Sequence, residues 1–253
     1  MRNRQKGGYI LKQRLDKLLL ARNLAPSRQK AQALTAAGQV FVNGRLADKA
    51  GAAFPLDCRI EVKGKSCPYV SRGGLKLKKG LEFFGIKPVG YICADIGAST
   101  GGFTDCLLQN GAAKVYSIDV GYGQLDWKLR QDSRVVVMER TNARYLAPGD
   151  IDDPLDLAVI DAAFISLELL IPPLSAFFID QVSIIALIKP QFEAGRDKVG
   201  KGGVVKDPDV HEEVIRDVLS FAKARGLKSR GVTSSPILGP KGNKEFLVHL
   251  ISG

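Results

Sequence analysis

The residues with the clearest chemical potential lie in a glycine-rich segment, DIGASTGG, that runs from Asp95 to Gly102. A short apolar run precedes the segment, so we predict a turn from a strand into a helix, where glycine lets the backbone approach a ligand closely. The Asp-x-Gly-x-x-x-Gly spacing is typical of S-adenosylmethionine (SAM) sites and does not match the G-x-G-x-x-G pattern of nicotinamide enzymes. A tight structural turn without a ligand is the alternative.

Two further polar residues extend this predicted site. Asp119 lies 22 positions after Gly97 and ends the next predicted strand, where a carboxylate can accept hydrogen bonds from both ribose hydroxyls of a nucleoside. Asn142 follows the third predicted strand, where its amide can meet an adenine edge. The predicted cofactor-binding residues are Asp95, Gly97, Ser99, Gly101, Gly102, Asp119 and Asn142.

Three more charged residues come at the ends of predicted strands. Asp161 follows the apolar run LAVI, Lys189 follows ALI, and Glu245 precedes the last strand. Because ligands in open α/β sheets bind beyond the carboxyl ends of the strands, we expect these side chains to share one cleft. A lone lysine at a strand end is usually a surface residue, but an aspartate on the adjacent strand favours a functional role for Lys189.

Seven predicted strands must position these residues. From residue 91 onward, apolar runs alternate with helical stretches, which is typical of a mostly parallel sheet covered by helices. The strands are predicted at Ile92–Ile96, Val115–Asp119, Val135–Met138, Leu157–Asp161, Ser183–Lys189, Leu227–Thr233 and Phe246–Leu250.

A helix is predicted after Gly74, ahead of the first strand of this sheet. Leu77, Leu81 and Phe84 have the spacing of one inner face. Periodicity does not show which of three lysines near the start of the helix points inward; the three are Lys76, Lys78 and Lys79.

Positive charge is concentrated at the N-terminal end of the chain. Residues 1–80 hold 18 Lys and Arg against 4 Asp and Glu, whereas residues 81–253 hold 19 against 22. Such a basic patch most commonly neutralises nucleic-acid phosphates. An anionic membrane is the alternative, but the sequence has neither a broad amphipathic helix nor an apolar stretch of the ~20 residues that cross a bilayer.

The basic region is predicted to fold as a small separate unit. A first helix starts near Arg14 and breaks at Pro26, and Ser27 can cap a second helix that runs to about Ala37. A strand, an Asn43-Gly44 turn and a second strand then form a hairpin. The second helix carries Arg28 and Lys30 in its first turn, the unfavourable end of the helix dipole, so we expect both to contact phosphate rather than stabilise the helix.

This order of elements resembles the S4 RNA-binding module, which implies contacts with structured RNA through phosphate and shape. The alternative is a merely solvated basic face. The predicted RNA-binding residues are Arg14, Lys17, Arg28, Lys30, Asn43, Arg45 and Arg72.

Nearly the whole chain resembles the TlyA family, haemolysin-like proteins that join an S4 module to an FtsJ-like methyltransferase domain. The segments that carry the likeness are RLDKLL, SRGGLKL, ADIGASTGGFTDCLL, ERTNAR, IDAAFISL, LIKPQFEAG and GPKGNKEF. One departure is Ala163, where the family more often has serine. The resemblance implies an α/β fold with a seven-stranded Rossmann-like domain and a small N-terminal α+β S4 domain. We accordingly expect a basic tail and S4-like domain at 1–62, a linker at 63–70 and a methyltransferase domain at 71–253.

The resemblance also implies an activity and its residues. SAM-dependent methylation of cytidine 2′-hydroxyls in 16S and 23S ribosomal RNA would use a Lys-Asp-Lys-Glu set, which falls on Lys76, Asp161, Lys189 and Glu245. A ribose hydroxyl is a poor nucleophile, so it must be deprotonated and aligned, and a lysine serves as the base only when its pKa falls well below the free value of ~10.4. Our hypothesis is that Lys189 is this base, Asp161 orients it, and the other two residues position the ribose.

The residue types in the chain disfavour several other functions and kinds of site. No Pro-Cys pair is present for base C5 methylation, and the segment after Asp161 lacks the prolines of amine methyltransferases. Four cysteines without a Cys-x-x-Cys pair and only two histidines disfavour a disulfide framework or a structural metal site. Without a secretory signal we expect a cytoplasmic protein. A non-catalytic RNA-binding or ribosome-assembly factor and, less favoured, a membrane-active haemolysin are the alternatives.

Overall fold

The computed structural model describes residues 11–36, 38–63 and 67–252. The chain divides into two compact units, Met1–Ser66 and Cys67–Gly253. Part of the predicted linker, residues 64–66, lies outside the described residues. None of the helices among the described residues is long and apolar enough to cross a bilayer.

Within its described residues, 11–36 and 38–63, the smaller unit has two helices and five short strands. They are β1 (Lys12–Arg14), α1 (Leu15–Ala21), α2 (Arg28–Ala36), β2 (Val40–Val42), β3 (Arg45–Leu46), β4 (Ala53–Pro55) and β5 (Ile60–Val62). Strand β2 pairs antiparallel with both β3 and β5, and β1 pairs antiparallel with β4. The helices and the three-stranded sheet enclose an apolar cluster that includes Leu15, Leu19, Ala31 and Val40.

The predicted helices and hairpin of this unit are confirmed, with one boundary corrected. The hydroxyl of Ser27 accepts a hydrogen bond from the backbone of Lys30 at 3.1 Å, as a helix cap does. Asn43 and Gly44 have φ of +50° and +77°, the conformation of a type I′ turn. The first helix ends at Ala21, before Pro26, because the chain already turns at Asn23, whose φ is +55°.

The larger unit contains the sheet. Its elements are α3 (Gly73–Phe84), β6 (Ile92–Ile96), α4 (Gly102–Gln109), β7 (Lys114–Asp119), α5 (Trp127–Arg130), β8 (Val135–Glu139), β9 (Leu157–Ile160), α6 (Ile171–Ser175), β10 (Ser183–Ile188), α7 (Pro190–Glu193), α8 (Pro208–Ala224), β11 (Leu227–Ser234) and β12 (Phe246–Ser252). The sheet order is β11-β12-β10-β9-β6-β7-β8, with β12 antiparallel to both its neighbours. All seven predicted strands are present, and the other strand pairs are parallel.

Apolar clusters on the two faces of the sheet fix its strands. Every residue of β9 is buried, since helices cover both faces of a central parallel strand. Leu77 of α3 and Leu107 of α4 are fully buried on one face, and Ile171 of α6 is 1% exposed on the other. Burying each such side chain contributes about 1.5–3 kcal/mol.

The structure of α3 shows which of its three lysines near the start of the helix faces the sheet. Lys76 is on the same helix face as the buried residues Leu77 and Leu81, and it is only 7% exposed. Lys78 has a half-exposed side chain beside Glu82. The helix ends at Gly85, which has the left-handed φ of +68° that closes helices.

Candidate active site

Four charged side chains meet at the carboxyl edge of the parallel strands. Lys189 Nζ lies 2.5 Å from Asp161 Oδ1 and 3.2 Å from the backbone oxygen of the same residue. Lys76 Nζ lies 3.5 Å from Asp161 Oδ2 and 2.7 Å from Glu245 Oε2. The structure therefore brings together all four residues of the predicted Lys-Asp-Lys-Glu set in one continuous chain of ion pairs.

Strand direction explains how distant residues reach this point. Asp161 and Lys189 directly follow β9 and β10, which are parallel neighbours, so both side chains leave the sheet at the same edge. Strand β12 runs antiparallel and pairs Phe246 with Ile188, so Glu245 enters the sheet where β10 ends. Lys76 arrives from α3, which lies over the sheet.

The cluster is shielded from water. The side chains of Lys76 and Lys189 are each 9% exposed and that of Glu245 is 0% exposed, whereas Asp161 retains 20%. Buried charges are stable only when they are paired, and removing one partner of a buried pair costs about 3–5 kcal/mol. In this cluster each carboxylate is paired with at least one lysine, so the condition is met.

An open cavity of about 620 Å³ lies in front of the cluster. Lys76, Asp161 and Lys189 form part of its wall, and the glycine-rich turn after β6 forms another part. Residues 237–240, ahead of β12, close one side, and the exposed Arg72 stands at the start of α3. The cavity is large enough for a nucleotide-sized ligand.

A second cavity of about 490 Å³ adjoins the first. The two share Gly97, Ser99, Asp161 and Ala163 in their walls. The second cavity combines polar and apolar side chains, as small-molecule sites commonly do. Its other lining residues are Ile96, Ile118, Asp119, Val120, Gln124, Thr141, Asn142, Ala143, Ala162, Phe164, Ile165 and Leu170.

The glycine-rich turn forms the boundary between the cavities. Gly97 has a φ of +81° and Ser99 a φ of +47°. Asp119 fixes the turn, because its Oδ2 accepts a hydrogen bond from the backbone of Ser99 at 2.8 Å and its Oδ1 accepts one from Gly121 at 2.7 Å. Each carboxylate oxygen keeps a free lone pair for a ligand.

The other two predicted glycines have different neighbours. Gly102 lines the first cavity, and a Cβ there would lie 2.2 Å from the hydroxyl of Ser71. Gly101 lines neither cavity; it has a φ of +91°, and a Cβ there would lie 2.2 Å from Leu129 Cδ1. Its role in this structure is to let α4 start close to α5.

Asp95 lies beneath the turn rather than in a cavity wall. Its side chain is fully buried, and Oδ2 accepts hydrogen bonds from Thr104 N at 2.8 Å and Thr104 Oγ1 at 2.7 Å. Oδ1 has no partner among the described residues. Burial raises the pKa of this carboxyl to about 7, and the nearby charges of Asp161 and Asp119 add to the effect. The geometry supports a role in holding the turn, not the direct ligand contact expected from the sequence.

Asn142 lies at the expected edge of the second cavity. Its Oδ1 accepts a hydrogen bond from the backbone of Arg144 at 3.1 Å and caps a short 3₁₀ helix, Ala143–Tyr145. The amide nitrogen is not used in that contact and can donate to a ligand.

Phe164, which no sequence pattern singled out, stands at the rim of the second cavity. Its side chain is 91% exposed and its φ is +63°, a strained value for an aromatic residue. Its ring centroid lies 4.9 Å from that of Phe192. Glu193 anchors the same loop, since its carboxylate accepts hydrogen bonds from Ser166 Oγ at 2.7 Å and Leu167 N at 2.9 Å. The only signal for Phe164 in the sequence is its position three residues after Asp161.

The five predicted RNA-binding cations of the smaller unit divide into two groups. Arg14 and Arg28 both contact Asp16 at 2.9 Å, and these hydrogen bonds, chiefly that of Arg14, hold the pKa of the buried Asp16 carboxyl well below its usual range. Arg28 thus ties α2 to Asp16 of α1, and its predicted contact with phosphate stays a prediction. Lys17 and Arg45 are exposed and Lys30 is half-buried.

The remaining two predicted RNA-binding residues differ from these cations. Asn43 shapes the hairpin turn, and its Oδ1 accepts a hydrogen bond from the backbone of Arg59 at 2.9 Å. Arg72 belongs to the larger unit, where it lines the first cavity.

Comparisons with known proteins show the family to which the chain belongs. Residues 69–251 match the FtsJ-like methyltransferase family and residues 13–53 match the S4 domain. The Mycobacterium tuberculosis (strain H37Rv) protein named 16S/23S rRNA (cytidine-2′-O)-methyltransferase TlyA is 47% identical over 94% of this chain and 89% of its own length. Hemolysin A of Brachyspira hyodysenteriae is 43% identical over 94% of this chain and 99% of its own.

A solved structure supports the same assignment. A hemolysin-type protein from Streptococcus thermophilus has 45% sequence identity and a TM-score of 0.77, covering 96% of this chain and 89% of that one. The chain belongs to the FtsJ-like methyltransferase family and, within it, to the TlyA group, with an S4 domain ahead of the methyltransferase domain.

Proposed function

We propose that the protein transfers a methyl group from SAM to a ribose 2′-hydroxyl of ribosomal RNA, at a cytidine of 16S RNA, 23S RNA or both. The observation that carries this proposal is the ion-pair chain of Lys76, Asp161, Lys189 and Glu245 at the junction of two cavities. The second cavity suits a nucleoside cofactor and is called the cofactor cavity below. The first cavity suits a nucleotide of the substrate and is called the acceptor cavity.

The second cavity has the residues to hold SAM. The free lone pairs of Asp119 can accept the ribose hydroxyls, and Asn142 can meet the adenine edge. The apolar side chains of Ile118 and Leu170 provide surfaces for the adenine ring. SAM supplies a methyl group that its sulfonium charge already makes electrophilic.

The ion-pair chain has the residues to prepare the acceptor. In its uncharged form, Lys189 Nζ would take the proton of the 2′-hydroxyl, while SAM, when bound, would supply the methyl group to that oxygen. Asp161 holds Lys189 in place at 2.5 Å. Lys76 donates to the ribose oxygens, and Glu245 keeps Lys76 oriented at 2.7 Å. Alignment of this kind contributes much of the acceleration in group transfer.

Other methyl acceptors fit the site less well. Methylation of a base carbon needs a cysteine nucleophile, and none of the four cysteines lines either cavity. Burial raises the pKa of Cys93 and raises that of Cys106 to about 12, so neither provides a thiolate at neutral pH. The cluster of oxygen and amine groups at the junction favours a hydroxyl acceptor.

RNA binding is assigned to the exposed cations of the S4 domain and to Arg72. Lys17 and Arg45 are free to meet phosphates, and Arg72 stands at the entrance of the acceptor cavity. Replacing any one phosphate-binding cation by a neutral residue should reduce the salt dependence of RNA binding by about one counterion. A ribosomal RNA substrate implies ribosomal subunits as partners and a cytoplasmic location.

Incubation of the purified full chain with methyl-labelled SAM and ribosomal RNA, free or in subunits, tests the proposal. We expect label in RNA and new resistance of one internucleotide bond to alkali, because a methylated 2′-oxygen cannot attack its phosphate. RNA binding without label would indicate a non-catalytic assembly factor. Leakage of liposomes by the protein without labelled RNA would revive the lytic interpretation of the haemolysin name.

A further inference from the structure

Gly239 lies against the carboxylate of Glu245. A Cβ atom at position 239 would lie 2.0 Å from Glu245 Oε1, 2.5 Å from Cδ and 3.2 Å from Cγ. The backbone gives no reason for glycine here, since φ is −72° and ψ is −173°, values that any residue adopts. The missing side chain is therefore needed for space alone.

The carboxylate that occupies this space has few other restraints. Glu245 is fully buried, and its one ion-pair partner among the described residues is Lys76, whose Nζ lies 2.7 Å from Oε2. Among the same residues neither Oε1 nor Oε2 makes a hydrogen bond, so Lys76 restrains the carboxylate only as an ion pair. A glutamate has three rotatable side-chain bonds, so the shape of the surrounding wall must select the rotamer that meets Lys76.

The wall itself is firmly tied. Asn243 is 2% exposed, and its side chain donates to Gly203 O at 2.9 Å and Pro240 O at 3.1 Å while accepting from Val205 N at 3.1 Å. The backbone of Gly239 also donates to Asn243 O at 2.8 Å. An added atom at position 239 therefore displaces the flexible tip of Glu245 rather than the loop.

We propose that Gly239 is a positioning residue for methyl transfer: it leaves the space in which Glu245 holds Lys76 toward the acceptor. This inference rests on the proposed function. With a side chain at 239, Glu245 rotates away and Lys76 keeps only Asp161, at 3.5 Å. That shift draws Lys76 toward the carboxylate that also pairs with Lys189 and misaligns the acceptor.

The test is a double-mutant cycle of Gly239→Ala and Glu245→Asp in the full chain. Aspartate is one methylene shorter and vacates the positions of the two atoms nearest the new Cβ. We expect Gly239→Ala alone to lower kcat by about tenfold with KM for SAM changed less than about twofold, and to lower kcat by less than about twofold in the Glu245→Asp background. Gly80→Ala is the matched control, because Gly80 lies on α3 and a Cβ there meets nothing closer than 3.5 Å.

Equal effects of Gly239→Ala in both backgrounds, or an effect no larger than that of Gly80→Ala, would overturn the inference while leaving the proposed function intact. If the wild-type chain transfers no methyl to ribosomal RNA, the proposed function fails instead. In that case the same double-mutant cycle is measured through the thermal unfolding midpoint instead of kcat. There Gly239→Ala should lower the midpoint only when Glu245 is present, and additive shifts would contradict the claim that the two residues compete for one space.

Discussion

The backbone of Gly97 lies against the carbonyl oxygen of Asp161, and a Cβ atom at position 97 would come within 2.9 Å of that oxygen. Both residues line both cavities; Gly97 belongs to the glycine-rich turn and Asp161 belongs to the ion-pair chain. This contact joins the glycine-rich turn to the ion-pair chain.

Gly97→Ala should therefore impair both SAM binding and methyl transfer. The new methyl group meets backbone atoms, which cannot move aside as a side-chain tip can, and φ at this position is +81°. We expect a loss of about 1–3 kcal/mol in the free energy of unfolding, together with weaker SAM binding by calorimetry and a lower kcat. Gly90→Ala is the matched control, because Gly90 has a φ of +77° with nothing within 4 Å. A similar loss of SAM affinity in both variants would contradict the steric argument.

Replacing Lys76 by methionine should lower the free energy of unfolding far more than replacing Lys78 by methionine. Lys76→Met leaves Glu245 buried without its ion partner, so we expect it to lower the free energy of unfolding by about 3–5 kcal/mol. Lys78 has a half-exposed side chain and a surface contact with Glu82, so Lys78→Met should change stability by no more than about 0.5 kcal/mol. Denaturant unfolding of the two variants provides the measurement. Equal destabilisation would contradict the inward placement of Lys76.

Asp95 should make stability depend on pH in a defined window. Its pKa is about 7 in the folded protein and ~3.9 in an unfolded chain. Between these values the folded state keeps a proton that the unfolded state releases, so the free energy of unfolding falls as pH rises, by at most about 1.4 kcal/mol per pH unit, and it levels off above 7. Asp95→Asn removes this dependence.

Thermal unfolding of the wild type and Asp95→Asn from pH 4.5 to 8 checks the expectation. The variant should gain stability relative to the wild type as pH rises to about 7, with no further gain above it. A difference that stays constant across the range would show that Asp95 is ionised throughout.

Replacing Phe164 should affect methylation of RNA more than the stability of the protein. Its ring is 91% exposed at the rim of the cofactor cavity, and stacking of a nucleobase on an exposed aromatic ring is worth about 1–3 kcal/mol. We expect Phe164→Ala to lower kcat/KM for RNA by about tenfold or more. Loss of the contact with Phe192 should lower the free energy of unfolding by no more than about 1.5 kcal/mol. Ile179→Ala, at a side chain that is 79% exposed, is the control. Equal kcat/KM values for the two variants would remove the stacking role.

The sheet and the strand-end residues were predictable because their signals are local. Buried parallel strands appear as apolar runs such as LAVI in β9, and a polar residue directly after such a run must lie at the carboxyl edge. Asp161, Lys189 and Asp119 were found in this way. The family resemblance supplied Lys76, which local periodicity did not distinguish from Lys78.

Features that depend on contacts between distant segments could not be predicted from local patterns. Lys76 and Glu245 meet only because α3 packs beside β12. The pairing of Arg28 with Asp16 turns an apparently free cation into a structural one. The close approach of Gly239 to Glu245 has no backbone signature at all, since the φ of Gly239 is ordinary.

The most direct test of the central claim is nucleoside mass spectrometry of ribosomal RNA treated with labelled SAM and either wild-type protein or Lys189→Ala. We expect the wild type to produce a 2′-O-methylated ribonucleoside and the variant to produce none, while SAM and RNA affinities stay within about twofold, because Lys189 takes the hydroxyl proton rather than binding either ligand. Turnover by the variant at the wild-type rate, or label found on a base instead of a ribose, would contradict the account.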